Sequence, residues 1–531
     1  MSGPGPSAGS TPSPTLPLSY LVTAVAAFVL ACAAVPALAP ELAGHYYHPR
    51  LTALAHTVTL GWITLGIMGA SYQLIPIVLE RRVWSERLAR WQFWILAVGI
   101  AGMVAHFYMG RWPGLLMAAV MVGAGVAMHL VNVALTLRGV KRWTFTARFI
   151  AMAYTGLALT VVFGLVLGAD RIWKFLPGSF FPTLHAHFHL ALLGWVAPMV
   201  IGVAARVYPM FLLAPEPSGW PERVQFWGLA LGVPAVVTGL LAAPAALLVP
   251  GAIAVAAAAA AHLTWVSRMA RDRKRPALDW GLRFVLTGST FLIAAGAMGL
   301  ALAFNLLSGP RAALAYAVLA LGGWVSLTIV GMMLKIIPFL VWYRVYSPLA
   351  GRAPVPTLAQ LGWPAAERLA YGLLTGGVAA LAAALATGHA QLIGAAGAVL
   401  AAGALCFAAT VASVLHHMAQ YGRRPAIAGS SDAPTREQVL QALGGVLDPE
   451  LGMSVVELGL VYGIEIVNGA VNITMTLTAP GCPVHEIMPG WIRRVVMAVP
   501  GVVSVDVRIT FDPPWTPDRI NQSPGASRTP L

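Results

Sequence analysis

Residues 187–210 read HFHLALLGWVAPMVIGVAARVYPM, and this stretch carries the clearest indication of architecture in the chain. It is almost entirely apolar and is longer than the roughly 20 residues that an α-helix needs to cross a bilayer. Its pattern of Gly-Trp, six residues, Gly, six residues and Pro occurs three times. The copies begin at Gly61, Gly194 and Gly323, so equivalent positions are 133 and 129 residues apart. The sequence therefore predicts a repeated membrane architecture.

Apolar stretches of similar length fill most of the chain. Of its 531 residues, 58% are hydrophobic and 10% are charged, against roughly 25% charged residues in an ordinary soluble domain. We therefore predict a mainly α polytopic membrane protein with twelve transmembrane helices in three pseudo-repeats of four, each with the motif in its second helix. The expected spans are 19–41, 51–79, 90–110, 113–137, 147–169, 184–213, 225–243, 246–267, 282–307, 312–342, 366–387 and 390–418.

The distribution of charge predicts how the chain lies in the membrane. One set of alternate loops carries eighteen Lys and Arg residues and the other set carries five. By the positive-inside rule, both termini of this multi-pass protein lie in the cytoplasm, and the membrane is expected to be the cell membrane. Ten of the nineteen acidic and six of the 33 basic residues follow residue 430, so the net charge is −4 there and +18 before it. We expect the basic part to contact the lipid bilayer and no nucleic acid.

The two ends of the chain differ from its apolar middle. Residues 1–17 and 521–531 are rich in Pro, Gly and Ser, and we expect both to be disordered tails. The membrane domain is expected over 18–420, and 421–433 is expected to link it to a soluble domain at 434–520.

The soluble domain combines short helical and strand patterns. A Thr cap opens the first helix, and an Asn-Gly turn joins the first two strands. These patterns predict a compact cytoplasmic α+β domain with an antiparallel sheet. The helices are expected at 435–447 and from Pro483 onward, and the strands at 463–467, 470–478 and 502–511.

Histidine at membrane depth is the first candidate for chemistry. His56 and His189 each stand six residues before the motif tryptophan, and His185 and His187 accompany His189. An imidazole inside a bilayer is costly and usually lines a site, so the cluster indicates a haem or metal site. A membrane histidine is also commonly a hydrogen-bonded packing residue, and that alternative stays open.

Two basic residues fall inside the repeated helices. Arg206 and Lys335 occupy equivalent places in the second and third repeats, where the first has Gln73. Both lie near the cytoplasmic ends of their helices, so we expect their side chains to reach the headgroups by snorkelling. Acidic residues fall only at the ends of the expected spans, at Glu41 and Glu367, so the acidic relay of a proton pump is not expected.

The membrane part resembles the catalytic subunit of the haem–copper oxidase superfamily, and especially its nitric-oxide-reductase-like branch. The resemblance covers about 18–420 and rests on three helix quartets and the phrases HTVTLGW and HFHLALLGWVAPMVIGVAARVYPM. It implies that His56 is an axial ligand of a low-spin haem and that His185, His187 or His189 binds copper. The family also has histidines on helices 7 and 10, where this chain has none. The resemblance therefore implies a degenerate relative with lost ligands, which is not a proton-pumping terminal oxidase.

Cys482 is the chemical feature of the soluble domain. It stands in the phrase APGCP at a strand-to-helix turn. The amide groups of a helix N-terminus would stabilise a thiolate there.

The same domain resembles the MIP18-like family, which serves iron–sulfur cluster assembly. The matching stretches are 448–450, 454–462, 475–483, 499–501 and 512–515. The resemblance implies that Cys482 is the functional cysteine and that Asp448 and Glu457 approach it at a metal site. One thiolate cannot hold a cluster alone, so an iron–sulfur cluster or iron would bind transiently, completed by a client, a small thiol or a second protomer.

Two functions are consistent with these features. The first is an oxidase-like integral membrane protein that binds haem or copper and is fused to a cytoplasmic domain for iron–sulfur cluster assembly or transfer. The alternative is a non-enzymatic iron–sulfur or metal-trafficking factor, or a transporter, whose membrane domain binds no haem. The patterns leave open whether the chain is an enzyme. The expected partners are iron–sulfur clients or assembly proteins, with a second copy of the chain as a further partner through the soluble domain.

Overall fold

The computed structural model describes residues 13–44, 47–79, 81–140, 143–176, 180–216, 218–242, 245–275, 277–349, 355–419, 434–467, 469–478, 484 and 487–520. The chain divides into two compact units. One unit contains Thr15–Leu334 and Ala365–Ala409. The other contains Lys335–Pro364 and Thr410–Leu531, together with Met1–Pro14.

The described residues form twelve helices that are long and apolar enough to cross a membrane, with mean hydropathies of 1.5 to 2.3. This confirms the predicted number of spans. In chain order they are α1 (Thr15–Ala37), α2 (Pro49–Pro76), α3 (Glu86–Met109), α4 (Trp112–Leu137), α5 (Phe145–Trp173), α6 (Phe180–Leu212), α7 (Trp220–Ala242), α8 (Ala246–Arg271), α9 (Trp280–Ala303), α10 (Pro310–Val345), α11 (Pro364–Thr387) and α12 (Ala390–Ala419).

Large apolar side chains are exposed in the middle of several of these helices. The exposed fractions are 66% for Leu30, 72% for Met117 and 64% for Leu231. Such surfaces are a liability in water, whereas lipid tails solvate them without cost. The exposed side chains therefore agree with a membrane environment around the helices.

Each motif helix contains one π-helical stretch at the same place in its repeat. The three stretches are Thr57–Thr64, Leu190–Val196 and Val318–Ser326. The first two begin directly after His56 and His189, and the third begins at the position that corresponds to those histidines. The shared irregularity confirms the threefold repeat at the level of the backbone.

The motif glycines bring each motif helix close to the first helix of its own repeat. A methyl group added at Gly69 would lie 2.7 Å from Cβ of Tyr20, and one added at Gly202 would lie 2.6 Å from Cβ of Phe149. No side chain fits at such distances, so glycine is required for these helix crossings. The remaining motif glycines make the corresponding approaches: Gly61 to Ala27, Gly194 to Gly156, Gly323 to Phe291 and Gly331 to Phe284.

The three motif helices also contact one another. Trp62 of α2 donates its Nε1–H to Oγ of Ser326 of α10 over 3.0 Å. The ring of His189 of α6 stacks on Tyr316 of α10, with centroids 5.8 Å apart and planes 18° apart. Helices α2, α6 and α10 therefore form an inner set, as the predicted ring of three repeats requires.

The C-terminal domain has two helices and a three-stranded sheet. Its elements are α13 (Arg436–Gly444), β1 (Val461–Val467), β2 (Ala470–Met475), α14 (Met488–Val496) and β3 (Ser504–Ile509). The sheet order is β1-β2-β3, with β1 antiparallel and β3 parallel to β2. The α+β class is confirmed, and the purely antiparallel sheet is wrong. The physical reason is that α14 lies between β2 and β3 as a crossover helix, which returns the chain in the same direction.

The structure confirms one of the two predicted helix starts in this domain and contradicts the other. Thr435 caps α13 and forms a capping box with Gln438, as predicted. Helix α14 begins at Met488, with Pro489 in its first turn, and Val484 lies in a turn before it. The predicted helix start at Pro483 is therefore wrong.

Candidate functional site

His56 and His189 have the same local geometry in two different repeats. Nδ1 of His56 donates to the backbone carbonyl of Thr52 over 2.8 Å, and Nδ1 of His189 donates to the carbonyl of His185 over 2.8 Å. A carbonyl can only accept, so the proton is on Nδ1 and Nε2 keeps its lone pair. Metal-binding histidines are commonly oriented in this way by a second hydrogen bond.

His187 is the third imidazole of this region. Its Nδ1 is buried and has no hydrogen-bond partner within the part of the chain that the structure describes. A methyl group added at Gly164 of α5 would lie 3.2 Å from its Cε1, so glycine makes room for the ring. His185 lies one turn before His189 and provides the carbonyl that orients it.

These side chains provide imidazole nitrogens of the kind that bind a haem iron or a metal ion. The two oriented imidazoles and the buried ring of His187 would be suitable ligands for a haem iron, which would supply electron transfer there. The described residues contain no group of three His, Cys, Asp or Glu side chains that could hold a metal ion. No described histidine lies on α7 or α10, the helices on which the oxidase resemblance implies further histidines.

The structure gives protein partners for three charged residues at the ends of membrane helices. Helix α5 runs to Trp173 and therefore includes Asp170, which is 8% exposed and accepts a hydrogen bond from the backbone N–H of Leu176. The carboxylate is tolerated because it closes the end of the helix. Arg206 pairs with Glu216 over 2.6 Å, and Lys335 pairs with Glu450 of the C-terminal domain. Both basic side chains therefore pair with protein carboxylates, and their position relative to the headgroups stays a prediction.

Sequence analysis missed a buried polar network around His129. Its Nδ1 lies 3.0 Å from the hydroxyl of Tyr72, and its Nε2 lies 3.1 Å from that of Tyr154. Tyr72 donates to Oε1 of Gln92 over 2.8 Å, so His129 must donate from Nδ1 and accept at Nε2. The only signal in the sequence is a set of isolated polar residues on four different helices, which no spacing rule connects.

Asp448 organises a turn in the C-terminal domain. Its Oδ1 accepts hydrogen bonds from the backbone N–H groups of Glu450 and Leu451 over 2.9 and 3.0 Å. The residue is 4% exposed. This is the local side-chain-to-backbone bonding that Asp favours at turns, so at least one oxygen of this predicted metal ligand is used by the turn itself.

Glu457 forms a reciprocal pair with Ser454. The backbone N–H of Ser454 donates to Oε2 of Glu457 over 2.7 Å, and the backbone N–H of Glu457 donates to Oγ of Ser454 over 3.1 Å. Hydrogen bonds that the backbone N–H and the side chain of Ser454 donate to the carboxylate favour its charged form and lower the pKa of Glu457. The arrangement is that of a capping box.

The predicted functional cysteine cannot be placed against these carboxylates. Cys482, Pro483 and the neighbouring His485 lie outside the described residues, as does Asn468 of the predicted hairpin turn. The structure brings Asp448 and Glu457 into one turn region, where Leu447 pairs with Ser454.

The fold and these sites define a polytopic helical membrane protein that carries a small α+β domain after its last span. Comparison with known families agrees with this division. Residues 8–120 match the family model described as cytochrome c and quinol oxidase polypeptide I. Residues 436–507 match the model described as iron–sulfur cluster assembly protein.

The relatives of the C-terminal domain are named for iron–sulfur maturation. The Fe-S protein maturation auxiliary factor YitW of Bacillus subtilis (strain 168) is 40% identical over 88 residues, which are 16% of this chain and 86% of that protein. The Fe-S protein maturation auxiliary factor SufT of Staphylococcus aureus (strain USA300) is 37% identical over 78 residues, 14% of this chain and 89% of that protein. An iron-sulfur cluster carrier protein of Synechocystis sp. is 39% identical over 88 residues, 16% of this chain and 25% of that protein.

The chain therefore belongs, through its C-terminal domain, to the iron–sulfur cluster assembly protein family. That domain is fused to a membrane domain that is similar, over residues 8–120, to cytochrome c and quinol oxidase polypeptide I.

Proposed function

We propose that this protein assembles or transfers iron–sulfur units at the surface of a membrane. The observation that carries the proposal is the match to maturation factors over 86% and 89% of their length, in a chain whose matching domain follows a twelfth membrane helix. An iron–sulfur cluster or iron is cargo in this function, and client apoproteins are the partners that receive it.

Cys482 is the residue that we propose to hold the cargo. A thiolate is the ligand that iron–sulfur units require, and a single thiolate favours transient binding because a stable cluster takes four ligands. Asp448 and Glu457 stay candidates for the same site. Their hydrogen bonds to the backbone of residues 450–454 support a role in shaping the turn more strongly than a role as ligands.

Cluster transfer tests this function directly. The purified full-length protein is loaded anaerobically with iron and sulfide, separated from free reagents, and mixed with an apoenzyme whose activity requires a cluster. We expect the wild type to restore enzyme activity and the Cys482→Ser variant to restore none. A Cys406→Ser variant is the matched control, since it removes a thiol from α12 and should transfer like the wild type. Equal transfer by wild type and Cys482→Ser contradicts the assignment.

For the membrane domain we propose haem binding through imidazole. The support is the equivalent geometry of His56 and His189 and the buried ring nitrogen of His187. Bound haem would supply electron transfer, while these residues orient it. The alternative is a membrane domain that binds no haem and acts as an anchor or transporter. The bonds of His56 and His189 to their own helices would equally suit that packing role.

The proposal also covers the location of the protein, the division of its chain and its oligomeric state. We propose the cell membrane as its location and the cytoplasm as the side of both termini, on the strength of eighteen basic residues in one set of loops against five in the other. We also propose the five segments separated by the boundaries at 17, 420, 433 and 520 given above, and dimerisation through the C-terminal domain as one way to complete a cluster site.

A further inference from the structure

The C-terminal domain contacts a segment that precedes α11. Lys335–Pro364 and Thr410–Leu531 belong to the same compact unit. We call the described residues 335–349 and 355–358 the docking segment; it comprises the last part of α10 and described residues that follow it. We propose that the docking segment is a specific binding site for the iron–sulfur assembly domain of the same chain, secured by the pair Lys335–Glu450 and by Trp342 against Trp491.

The ion pair lies in a largely buried position. The side chain of Lys335 is 8% exposed and that of Glu450 is 23% exposed, and the Lys335 ammonium pairs with Oε1 of Glu450. A shielded ammonium that loses its carboxylate is strongly unfavourable, so the pair selects this partner over others. Next to it, the backbone N–H of Leu358 donates to the carbonyl of Pro449 over 3.1 Å. The docking segment therefore binds both a side chain and the backbone of the 448–450 turn.

Two tryptophans form the second half of the contact. Trp342 of α10 and Trp491 of α14 are each 1% exposed, and their rings meet edge to face with centroids 5.2 Å apart. Trp491 donates its Nε1–H to the carbonyl of Ser347 over 3.0 Å, and Arg494 donates to the same carbonyl over 3.4 Å. Buried, hydrogen-bonded tryptophans of this kind commonly dominate the energy of an interface.

The topology of the chain places the two partners on the same side of the membrane. Helices α10 and α12 are separated by a single return span, α11, so both end at the same membrane face. The hydroxyl of Tyr346, after α10, lies 2.7 Å from Nδ1 of His417 near the end of α12. The domain that follows α12 therefore starts where the docking segment lies. Its net charge of −4 also suits a basic partner.

Binding of the C-terminal domain to the docking segment limits the surfaces that a client protein can reach. The 448–450 turn and one face of α14, the first described helix after Cys482, are covered by the chain's own docking segment. A client that needs either surface must displace the segment, and other clients must approach the domain from elsewhere. This inference does not depend on cluster binding, so it can fail while the proposed function holds.

Retention after linker cleavage tests the docking. A protease site is inserted within 421–433 of the full-length chain, the protein is placed in lipid nanodiscs, and the cleaved C-terminal fragment is separated from the discs by size. We expect the wild-type fragment to stay with the discs at low salt. Lys335→Glu should weaken retention at least about tenfold, since it places two carboxylates together. The double variant Lys335→Glu with Glu450→Lys should restore it.

A control variant and two contrary results complete the test of docking. Arg344→Glu makes the same charge change at an exposed position of α10 and should leave retention unchanged. Full release of the wild-type fragment overturns the proposal. Retention that Lys335→Glu does not alter, or that the double variant does not recover, also overturns it, because the fragment would then be held by lipid or by other contacts.

Discussion

The imidazole rings of His56 and His189 are oriented by the backbone of their own helices. Each ring is fixed by the carbonyl four residues earlier, directly before a π-helical stretch. Such stretches occur frequently at functional sites because they displace the residues around them from regular helix positions. The sequence spacing identified both histidines, and the direction in which their Nε2 atoms are available follows only from the structure.

The first prediction concerns haem content. Replacing His56 with Ala removes an oriented imidazole, so we expect purified His56→Ala to lose most of the haem absorbance of the wild type. His389→Ala is the control, because His389 is exposed between α11 and α12 and its loss should leave the spectrum unchanged. Measurement is by the optical spectrum of the reduced protein at equal protein concentration. Equal absorbance in wild type and His56→Ala would exclude this ligand.

The second prediction concerns Glu457 and pH. Because the folded state lowers the pKa of Glu457, its carboxylate stabilises the turn above the pKa of the unfolded chain, and this stabilisation is lost as the pH falls through the folded pKa. We expect Glu457→Gln to increase hydrogen exchange at the Ser454 amide severalfold at neutral pH, with a smaller difference in acid. Glu437→Gln, on the exposed first turn of α13, should change nothing. A difference that grows in acid would contradict the assignment.

At the scale of the element, the lengths of the apolar stretches predicted the twelve membrane helices. The π-helical stretches within them and the exact start of α14 could not be predicted from the residues nearby. The twelve spans follow from apolar stretches that must cross a bilayer. The π-helical stretches carry no such signal, because their residues are as apolar as those of a regular helix. Pro483 suggested a helix start, yet α14 starts at Met488 with Pro489 in its first turn. Two nearby prolines offered the same signal, and only the tertiary structure selects one.

The third prediction concerns the motif glycines. In Gly202→Ala the new methyl group would lie 2.6 Å from Cβ of Phe149, an atom fixed to the backbone. We expect a loss of about 1–3 kcal/mol from overpacking, measured as a lower midpoint of thermal unfolding in detergent. Gly296→Ala is the matched control, since nothing lies within 4 Å of the added methyl, and it should be neutral or slightly stabilising. An unchanged midpoint for Gly202→Ala would show that the helices separate at little cost.

At the scale of the molecule, composition and motifs were enough to divide the chain into a membrane part and an assembly domain. They did not reveal the pairing of Lys335 with Glu450, because these residues are 115 positions apart and each has an ordinary local explanation. The buried contacts of His129 were missed for the same reason: Tyr72, Gln92 and Tyr154 come from separate helices. Long-range polar contacts of this kind leave no periodic pattern in a sequence.

The fourth prediction concerns orientation. With eighteen basic residues in one set of loops and five in the other, we expect a fluorescent protein fused after residue 520 to be fluorescent in the cytoplasm. Alkaline phosphatase, which is active only outside the cytoplasm, should be inactive at the same position. Inserted between α5 and α6, on the opposite side, it should be active. The reverse pattern of activities would invert the proposed topology.

The central claim is that Cys482 handles iron–sulfur units within a membrane protein, and acid-labile sulfide measures it most directly because haem contains none. The full-length protein is purified, reconstituted anaerobically with iron and sulfide, and freed of unbound reagents, and its sulfide and iron are determined per chain. We expect sulfide in the wild type and in Cys406→Ser and a loss of nearly all of it in Cys482→Ser. A wild type that retains no sulfide, or a Cys482→Ser variant that retains as much as the wild type, would contradict the account.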